Sequence, residues 1–290
     1  MFNSEKNEQS QKVSDGSTAI QAQEINIVGL SYSDVKAVVK DLFELNFPKL
    51  KSEALELAKI HVDDFSEQFF RKMSELDKQL LEQKFVSPDM QFALNSVVQQ
   101  VARFGEKSKS EVLTEILVNK VNSKHDFDDV LYNQAIEVTG KLTLDQIKIL
   151  SLQYILRRVY KNDILSNEIH KDGTFYMYEV ELIEMFQNVK MLEEDSFYLG
   201  FIGVTNIESI KSYELKTKSL LTKHTGKSLT DYDENSVISP EDAFSQKFPK
   251  LASLIVSIGF LKLADLDNFT VSPLGEKIAI SYLKSINFLK

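Results

Sequence analysis

The sequence predicts a mainly α-helical bundle that has a short N-terminal β-strand and a C-terminal winged-helix-like domain. Three observations favour this fold. Apolar residues recur at helical spacing over most of the chain, and Ser, Thr and Asp residues precede several of these runs as helix caps. Short stretches typical of strands occur near the two ends of the chain.

The composition is that of a chain with a sizeable core and little affinity for nucleic acid. At 290 residues and 43% hydrophobic content, two packed domains are expected rather than one. The formal net charge of -9 argues against general nucleic-acid binding, because counterion release needs clustered Lys and Arg. The chain has no Cys, which excludes thiol nucleophiles, disulfides and Cys-ligated metals.

The sequence shows no pattern of export or membrane insertion. The first residues lack the basic start and the apolar run of a signal peptide. The most apolar stretch, residues 251–263, is too short to span a bilayer. We therefore expect a cytoplasmic protein without a membrane span, and no residue pattern calls for a cofactor.

Residues 1–30 are predicted to be a disordered tail followed by a short strand. A turn signal at Asp15-Gly16 precedes apolar residues that lie among polar ones in an extended pattern. The residues predicted to mediate self-association are Ala19, Ile20, Ala22, Ile25 and Ile27. An isolated strand leaves its backbone N–H and C=O groups without partners, so it must join a distant sheet, pair with another copy or stay unfolded. We favour pairing between copies, which predicts a homo-oligomer.

Long helices are predicted for residues 31–83. The first follows a cap at Ser31 or Ser33 and ends before Pro48. The second runs from about residue 49 to about residue 82 and should bury one apolar seam. The seam consists of Ala54, Ala58, Val62, Phe65, Phe69, Met73, Leu76 and Leu80.

Residues 84–160 are predicted to form a four-helix domain. Its helix starts are Ser87 before Pro88, Ser108 with Glu111, and Thr143 with Gln146. The first of these helices is expected to end at Gly105 and to bury three side chains. They are Val97, Val101 and Phe104.

The region 161–230 is predicted to be helical, and residues 231–290 are predicted to be a linker and the winged-helix-like domain. In this domain Ser239-Pro240 begins one helix, a second helix ends at Gly259, and Ser272-Pro273 begins the last. A small hairpin is expected before the last helix, formed by Phe260 to Leu263 and Phe269 to Val271.

The acidic stretch 231–242 is the candidate metal site. It places oxygen-bearing side chains at the ligand positions of a calcium-binding loop, namely Asp231, Asp233, Asn235 and Asp242. Ser236 stands where such a loop needs glycine, and Asp242 is shorter than the usual glutamate. A solvated acidic linker is therefore favoured, with calcium binding as the alternative.

Lys247 and Lys250 are the candidate nucleic-acid contacts, because they lie around the start of the expected recognition helix. So few cations make a poor DNA-reading helix, and a protein contact or a structural role is favoured. Among the dispersed histidines, His61 lies beside the apolar seam and is expected to be a packed or half-exposed side chain. No catalytic residue is assigned.

Several tracts carry a family resemblance. GSTAIQAQEINIVGLSYSDV with LFELNFPKL resembles the N-terminal signature of an uncharacterised bacterial helical family. The later tracts SPDMQFALNSVVQQVARFGEKSKSEVLTEILVNKV and KLTLDQIKILSLQYILRRV resemble the middle of that family and, more distantly, the helical core of the Abi-alpha abortive-infection family. The resemblance implies a bacterial intracellular protein with a link to phage defence, and it brings no catalytic residues.

The sequence thus predicts a non-enzymatic, self-associating protein that takes part in phage defence through contacts with an unknown protein partner. A DNA-binding regulator that uses residues 239–290 is the alternative. An enzyme with a carboxylate-based or metal-assisted site is a third hypothesis, which would require distant acids to converge in one cleft.

Overall fold

The computed structural model describes residues 32–47, 52–159, 182–207, 240–261, 265 and 269–289, and this part of the chain is mainly helical, as predicted. The first half contains α1 Tyr32–Asn46, α2 Ser52–Met73, α3 Lys78–Phe85, α4 Pro88–Phe104, α5 Lys107–Val121, α6 Asp126–Thr139 and α7 Leu144–Arg158. The second half contains α8 (described for residues 182–186), α9 Glu193–Phe201, β1 Thr205–Ile207, α10 Pro240–Lys247, α11 Pro249–Ile258, β2 Phe269–Val271 and α12 Pro273–Ser285.

Side-chain caps begin several helices where the sequence predicts them. The Ser87 hydroxyl accepts a hydrogen bond from the Met90 N–H at 3.1 Å, directly before Pro88. Thr143 and Gln146 form a reciprocal capping box at 3.1 and 2.9 Å. These bonds satisfy N–H groups that the helix itself leaves unpaired.

The predicted start of α5 is wrong. Ser108 with Glu111 was expected to form a capping box, but α5 begins at Lys107 and its N-cap is Glu106, which makes no side-chain cap bond. The helix therefore has Lys107 and Lys109 in its first turn, where the helix dipole disfavours positive charge. Packing of the apolar face of α5 outweighs this local preference.

The helix expected from residue 49 to 82 is divided into two. α2 ends at Met73, and α3 begins after Asp77, whose side chain accepts a hydrogen bond from the Leu80 N–H at 3.0 Å. Asp77 thus provides an N-cap that competes with continuation of the first helix. The apolar period continues across the break, which is why spacing alone did not indicate it.

The apolar seam of α2 lies in the core. Its buried members are Ala58, Val62, Phe65, Phe69 and Met73, whereas Ala54 is exposed and Leu76 and Leu80 are partly buried. The rings of Phe65 and Phe69 are stacked with centroids 5.5 Å apart. On α4, Val97 and Val101 are buried, as predicted. Phe104 was also predicted to be buried, but it is 39% exposed and its ring lies against the cations of Arg103 and Lys109.

The last helix occupies the middle of the bundle. α12 packs against α5, α6 and α7, and its residues Ile278, Ala279 and Leu283 are fully buried. Polar contacts accompany this packing, including a hydrogen bond from Asn119 to the Ser281 hydroxyl at 3.3 Å. The C-terminal part of the chain is therefore joined directly to the helices of residues 107–158.

A two-stranded antiparallel sheet leads into this helix. β2 pairs with β1 so that Thr205 lies opposite Val271 and Ile207 opposite Phe269. The strand Phe269–Val271 was predicted, but its expected partner was Phe260 to Leu263; Phe260 and Leu261 are not in a strand, and the rest of that stretch lies outside the described residues. A local pattern predicts strands without showing which distant strand they pair with.

Gly275 allows the sheet and α12 to approach closely. A Cβ atom at this position would lie 2.1 Å from the carbonyl oxygen of Val204, which is far inside van der Waals contact. The neighbouring Ser272 donates its hydroxyl to the Gly203 carbonyl at 2.6 Å and its N–H to the Val204 carbonyl at 3.0 Å. The start of α12 is thus fixed against the chain before β1.

Replacing either stacked ring of α2 tests whether this seam carries the stability of the bundle. Phe65→Ala or Phe69→Ala is expected to lower the free energy of unfolding by about 3–5 kcal/mol, because each leaves a cavity in a packed core. Ile60→Ala on the same helix is the control, since Ile60 is 56% exposed and should cost less than about 0.5 kcal/mol. Urea unfolding measures the free energy of unfolding of each variant. Equal losses for Phe65→Ala and Ile60→Ala would contradict the placement of the apolar seam in the core.

Candidate functional site

A network of buried charge joins α4, α5 and α6. The Lys120 side chain is only 2% exposed, and its ammonium lies 2.6 Å from Asp89 Oδ2 and 3.7 Å from Asp129 Oδ1. Asn133 donates to the other Asp89 oxygen at 2.7 Å, and Lys84 lies 3.4 Å from Asp129. Four charged groups and one amide therefore hold three helices and the end of α3 together.

The electrostatics of this network favour the charged form of Asp89. Burial on its own raises the pKa of Asp89, but hydrogen bonds from Lys120 and Asn133 outweigh this effect and leave the pKa below its ordinary value of 3.8. Asp89 is also in the first turn of α4, where the helix dipole favours negative charge. Its side chain is 53% exposed, so solvent screens the pair on one side.

A second ion pair joins α6 to α12. The Lys277 ammonium donates to Asp128 Oδ1 at 2.5 Å and lies 4.7 Å from the centre of the Tyr132 ring. The hydrogen bond from Lys277 holds the pKa of Asp128 below its ordinary value. Burial on its own lowers the pKa of Lys277, but the bond to Asp128 outweighs it and leaves that pKa raised.

These two groups of charges are suited to holding helices rather than to catalysis. A lysine acts as a nucleophile only when its amine is neutral, and the raised pKa of Lys277 keeps that amine charged. In the part of the chain that the structure describes, no cluster of three or more His, Asp or Glu side chains could hold a metal ion. The surface openings are therefore the better candidates for a site.

The first opening is the α6–α12 cleft, of about 370 Å³. It lies between α6, the residues before β1 and the start of α12, and apolar groups form most of its wall, among them Phe127, Leu131, Ile202 and Leu274. Glu137 places a carboxylate at this cleft.

Exposed apolar side chains lie on two helices, and one of them, Phe127, lines this cleft. α6 presents Phe127, 67% exposed, and Val130 one turn later; α9 presents Phe197 and Phe201, 68% and 88% exposed, also one turn apart. Ile202, which directly follows α9, lines the same cleft as Phe127. We call Phe127, Val130, Phe197 and Phe201 the aromatic surface, and large apolar groups on a surface commonly mark contacts with another protein.

The second opening is the α8–α11 groove, of about 470 Å³. Ile183 and Gln187 line it from the side of α8, and Pro249, Lys250 and Leu254 line it from α11. Its two serines are already bonded within α11, because Ser253 donates to the Pro249 carbonyl at 2.9 Å and Ser257 to the Leu254 carbonyl at 2.7 Å. Among the described residues that line this groove, Lys250 is the charged one, and it is exposed.

The structure places only some of the predicted site residues. Ala19, Ile20, Ala22, Ile25 and Ile27, and also Asp231, Asp233 and Asn235, lie outside the described residues. Asp242 is exposed on α10, and Lys247 is the last residue of that helix. Lys250 lies at the start of α11, so the structure brings it to a groove.

His61 is partly buried on α2, in agreement with the sequence analysis. Its ring covers Gly105, where a Cβ atom would lie 2.1 Å from the ring carbon Cε1. Gly105 has a φ of +60°, a backbone conformation that glycine adopts most readily at a helix end. His61 therefore packs against a helix terminus.

Sequence reasoning missed the two most informative features of the site. Lys120 follows Ile116 and Leu117 at helical spacing, so its position on the buried face of α5 could have been predicted from the sequence. The exposure of Phe127 and Phe201 had no comparable signal, because an aromatic residue on a helix is by default assigned to the core. Only the packing of α6 and α9 shows that these rings face solvent.

Comparison with known proteins gives a match to a family model. A family model with the description ":-like" matches residues 29–279. No curated protein and no solved structure matches significantly. Among the described helices, none combines the length and the apolar content that crossing a membrane requires.

The Asp128–Lys277 pair predicts a dependence of stability on pH. Because the folded-state pKa of Asp128 is lowered, its contribution is present above the unfolded pKa of about 3.8 and is lost as pH falls through the folded value. Asp128→Asn should therefore lower the free energy of unfolding at pH 7 by up to about 1 kcal/mol, with a difference that shrinks below pH 3.8.

The exposed Glu137 on the same helix supplies the matched control, Glu137→Gln, which should have little effect at either pH. Urea unfolding at pH 7, pH 3 and pH 2 measures both variants. A deficit for Asp128→Asn that stays constant down to pH 2 would show that the carboxylate does not stabilise the fold through its charge.

Proposed function

The chain belongs to the uncharacterised family whose model matches residues 29–279, and within that family we propose that it is a non-enzymatic protein that self-associates and acts through protein contacts. The observation that carries this proposal is the aromatic surface on α6 and α9, of which Phe127 lines the α6–α12 cleft. Exposing three phenylalanines to water is unfavourable unless a partner covers them.

Self-association is assigned to the leader segment, residues 17–28, with Ala19, Ile20, Ala22, Ile25 and Ile27 as its apolar contacts. Extended leaders of two copies would satisfy each other's backbone N–H and C=O groups. Such contacts between copies leave the aromatic surface available for a different protein. The chain would then make two kinds of protein contact, one with its own copies and one with that partner.

A role in bacterial phage defence is the biological setting that we propose. It rests on the resemblance of the tracts in residues 87–121 and 141–159 to the Abi-alpha abortive-infection family. In the structure these tracts are α4, α5 and α7, which with α6 and α12 form the packed bundle that carries the charge network and the α6 residues of the aromatic surface.

Removing residues 1–29 tests the self-association. Light scattering is expected to give an oligomer for the full chain and a monomer for the truncated chain, because the proposed backbone partners are gone. Ile25→Asp with Ile27→Asp in the full chain should act in the same direction, since charge on one face of the leader opposes its burial. If defence requires assembly, plaque counts on cells that express the truncated chain should rise toward those of cells without the protein.

The far-ultraviolet circular dichroism of each variant must match that of the full chain, which separates loss of assembly from loss of folding. A full-length monomer, or an oligomer of unchanged mass after truncation, would overturn the proposal.

We also propose that α9, β1, α10, α11 and β2 form a winged helix. In that motif a helix and a strand precede two helices in a helix-turn-helix arrangement, and the first and last strands pair antiparallel. The order of these elements and the pairing of β1 with β2 support it. The wing would fall around residues 262–268, most of which lie outside the described residues.

A winged helix makes DNA binding the second candidate function. α11 would be the recognition helix, and its exposed face carries Lys250, Ser253 and Val256. The Ser253 hydroxyl is already donated to a backbone carbonyl, so Lys250 is the cation that this described face offers to phosphate. A face of this composition supports a protein contact more strongly than it supports DNA binding.

Binding to duplex DNA at low salt decides between the two candidates. If the regulator hypothesis is right, a mobility shift should appear at low salt, weaken as salt rises, and be lost when Lys247 and Lys250 are both changed to Ala. Changing the exposed Lys124 on the α5–α6 connection should leave that shift unaltered. Absence of any shift at low ionic strength would remove the DNA-binding hypothesis.

A further inference from the structure

The α8–α11 groove has the chemistry of a binding site for a short apolar segment that carries an acid. Ile183, Pro249 and Leu254 contribute apolar surface, and the two serine hydroxyls are used within α11. Lys250 is exposed and no ion pair to a described residue holds it. A groove of about 470 Å³ is large enough for several side chains.

An extended leader segment would present that pattern on one face. In an extended chain, side chains of alternate residues point to the same side, so Ile20, Ala22 and Glu24 share a face while Ile25 and Ile27 share the other. Backbone pairing between leaders uses only N–H and C=O groups. Both faces are then left for packing against the folded part of a neighbouring molecule.

We propose that the leader of one copy binds in the α8–α11 groove of a second copy, with Ile20 and Ala22 against the apolar wall and Glu24 paired with Lys250. This inference rests on the proposed self-association and names the surface that receives the leader. It assigns Lys250 to a contact between protein copies instead of a contact with nucleic acid.

Charge favours this groove over the α6–α12 cleft. The α6–α12 cleft is also apolar, but Glu137 lines it and would repel Glu24. The chain as a whole has a net charge of -9, so two copies repel each other at long range. A local pairing of opposite charges is therefore needed to orient the leader as it arrives.

A charge exchange tests the pairing in the full chain. Glu24→Lys and Lys250→Glu should each weaken self-association by about 5-fold or more, because each places like charges together, and the double variant should recover most of the loss. Sedimentation velocity over a range of protein concentrations at low salt measures the association. Lys124→Glu, which changes the net charge by the same amount at an exposed position, should have a much smaller effect and should not be rescued by Glu24→Lys.

The outcomes separate this inference from the broader proposal. A monomeric wild-type chain would overturn both. A wild-type oligomer that neither single variant weakens, or that the double variant does not restore, would overturn the groove assignment and leave self-association standing. If the double variant regained the sedimentation behaviour of the wild type equally at every protein concentration, the leader would bind within its own chain. That result would overturn the contact between copies.

Discussion

The burial of α12 among α5, α6 and α7 is the constraint on which the rest of the structure depends. Its apolar residues complete the core of these helices, and its first turn is held against the residues before β1 by Ser272 and by the close approach at Gly275. Because β2 leads directly into this helix, its position also fixes the sheet. The α6–α12 cleft is consequently a product of the same packing that forms the core.

Charge reinforces this arrangement without supplying most of its free energy. Partly exposed pairs such as Asp128 with Lys277 and Glu276 with Arg158 contribute little individually, because water screens them. Lys120 differs, since its ammonium is buried and would be strongly unfavourable without Asp89 and Asp129. Few relative positions of α4, α5 and α6 satisfy that ammonium, so the network restricts the helices more than it stabilises them.

Local sequence signals were sufficient to predict several helix starts and the mainly helical fold. Ser87, Thr143 and Ser272 are caps in the structure because each accepts a bond from the N–H three residues further along the helix. The same kind of signal was wrong at Ser108, where packing of α5 places the start earlier, and it missed the break at Asp77 inside a continuous apolar period. The pairing of β2 with β1 joins residues far apart in sequence, which no local pattern encodes.

The candidate site was less predictable than the fold because its features also depend on contacts between residues that are far apart in sequence. Lys250 was identified from its place before an expected helix, but its groove exists only because α8 packs beside α11. The exposure of Phe127 likewise depends on which face of α6 the neighbouring helices cover. Exposure is a property of the assembled molecule, whereas caps and apolar periods belong to short segments.

The place of α12 in chain order has a consequence during synthesis. The ribosome produces α5, α6 and α7 long before α12 emerges, so the surface that α12 covers stays open on the growing polypeptide. Residues such as Ile116, Leu150 and Ile155 belong to the core that this helix helps to close, and nascent chains that expose such surface are substrates for chaperones. Completion of the bundle must wait until translation has passed the last helix.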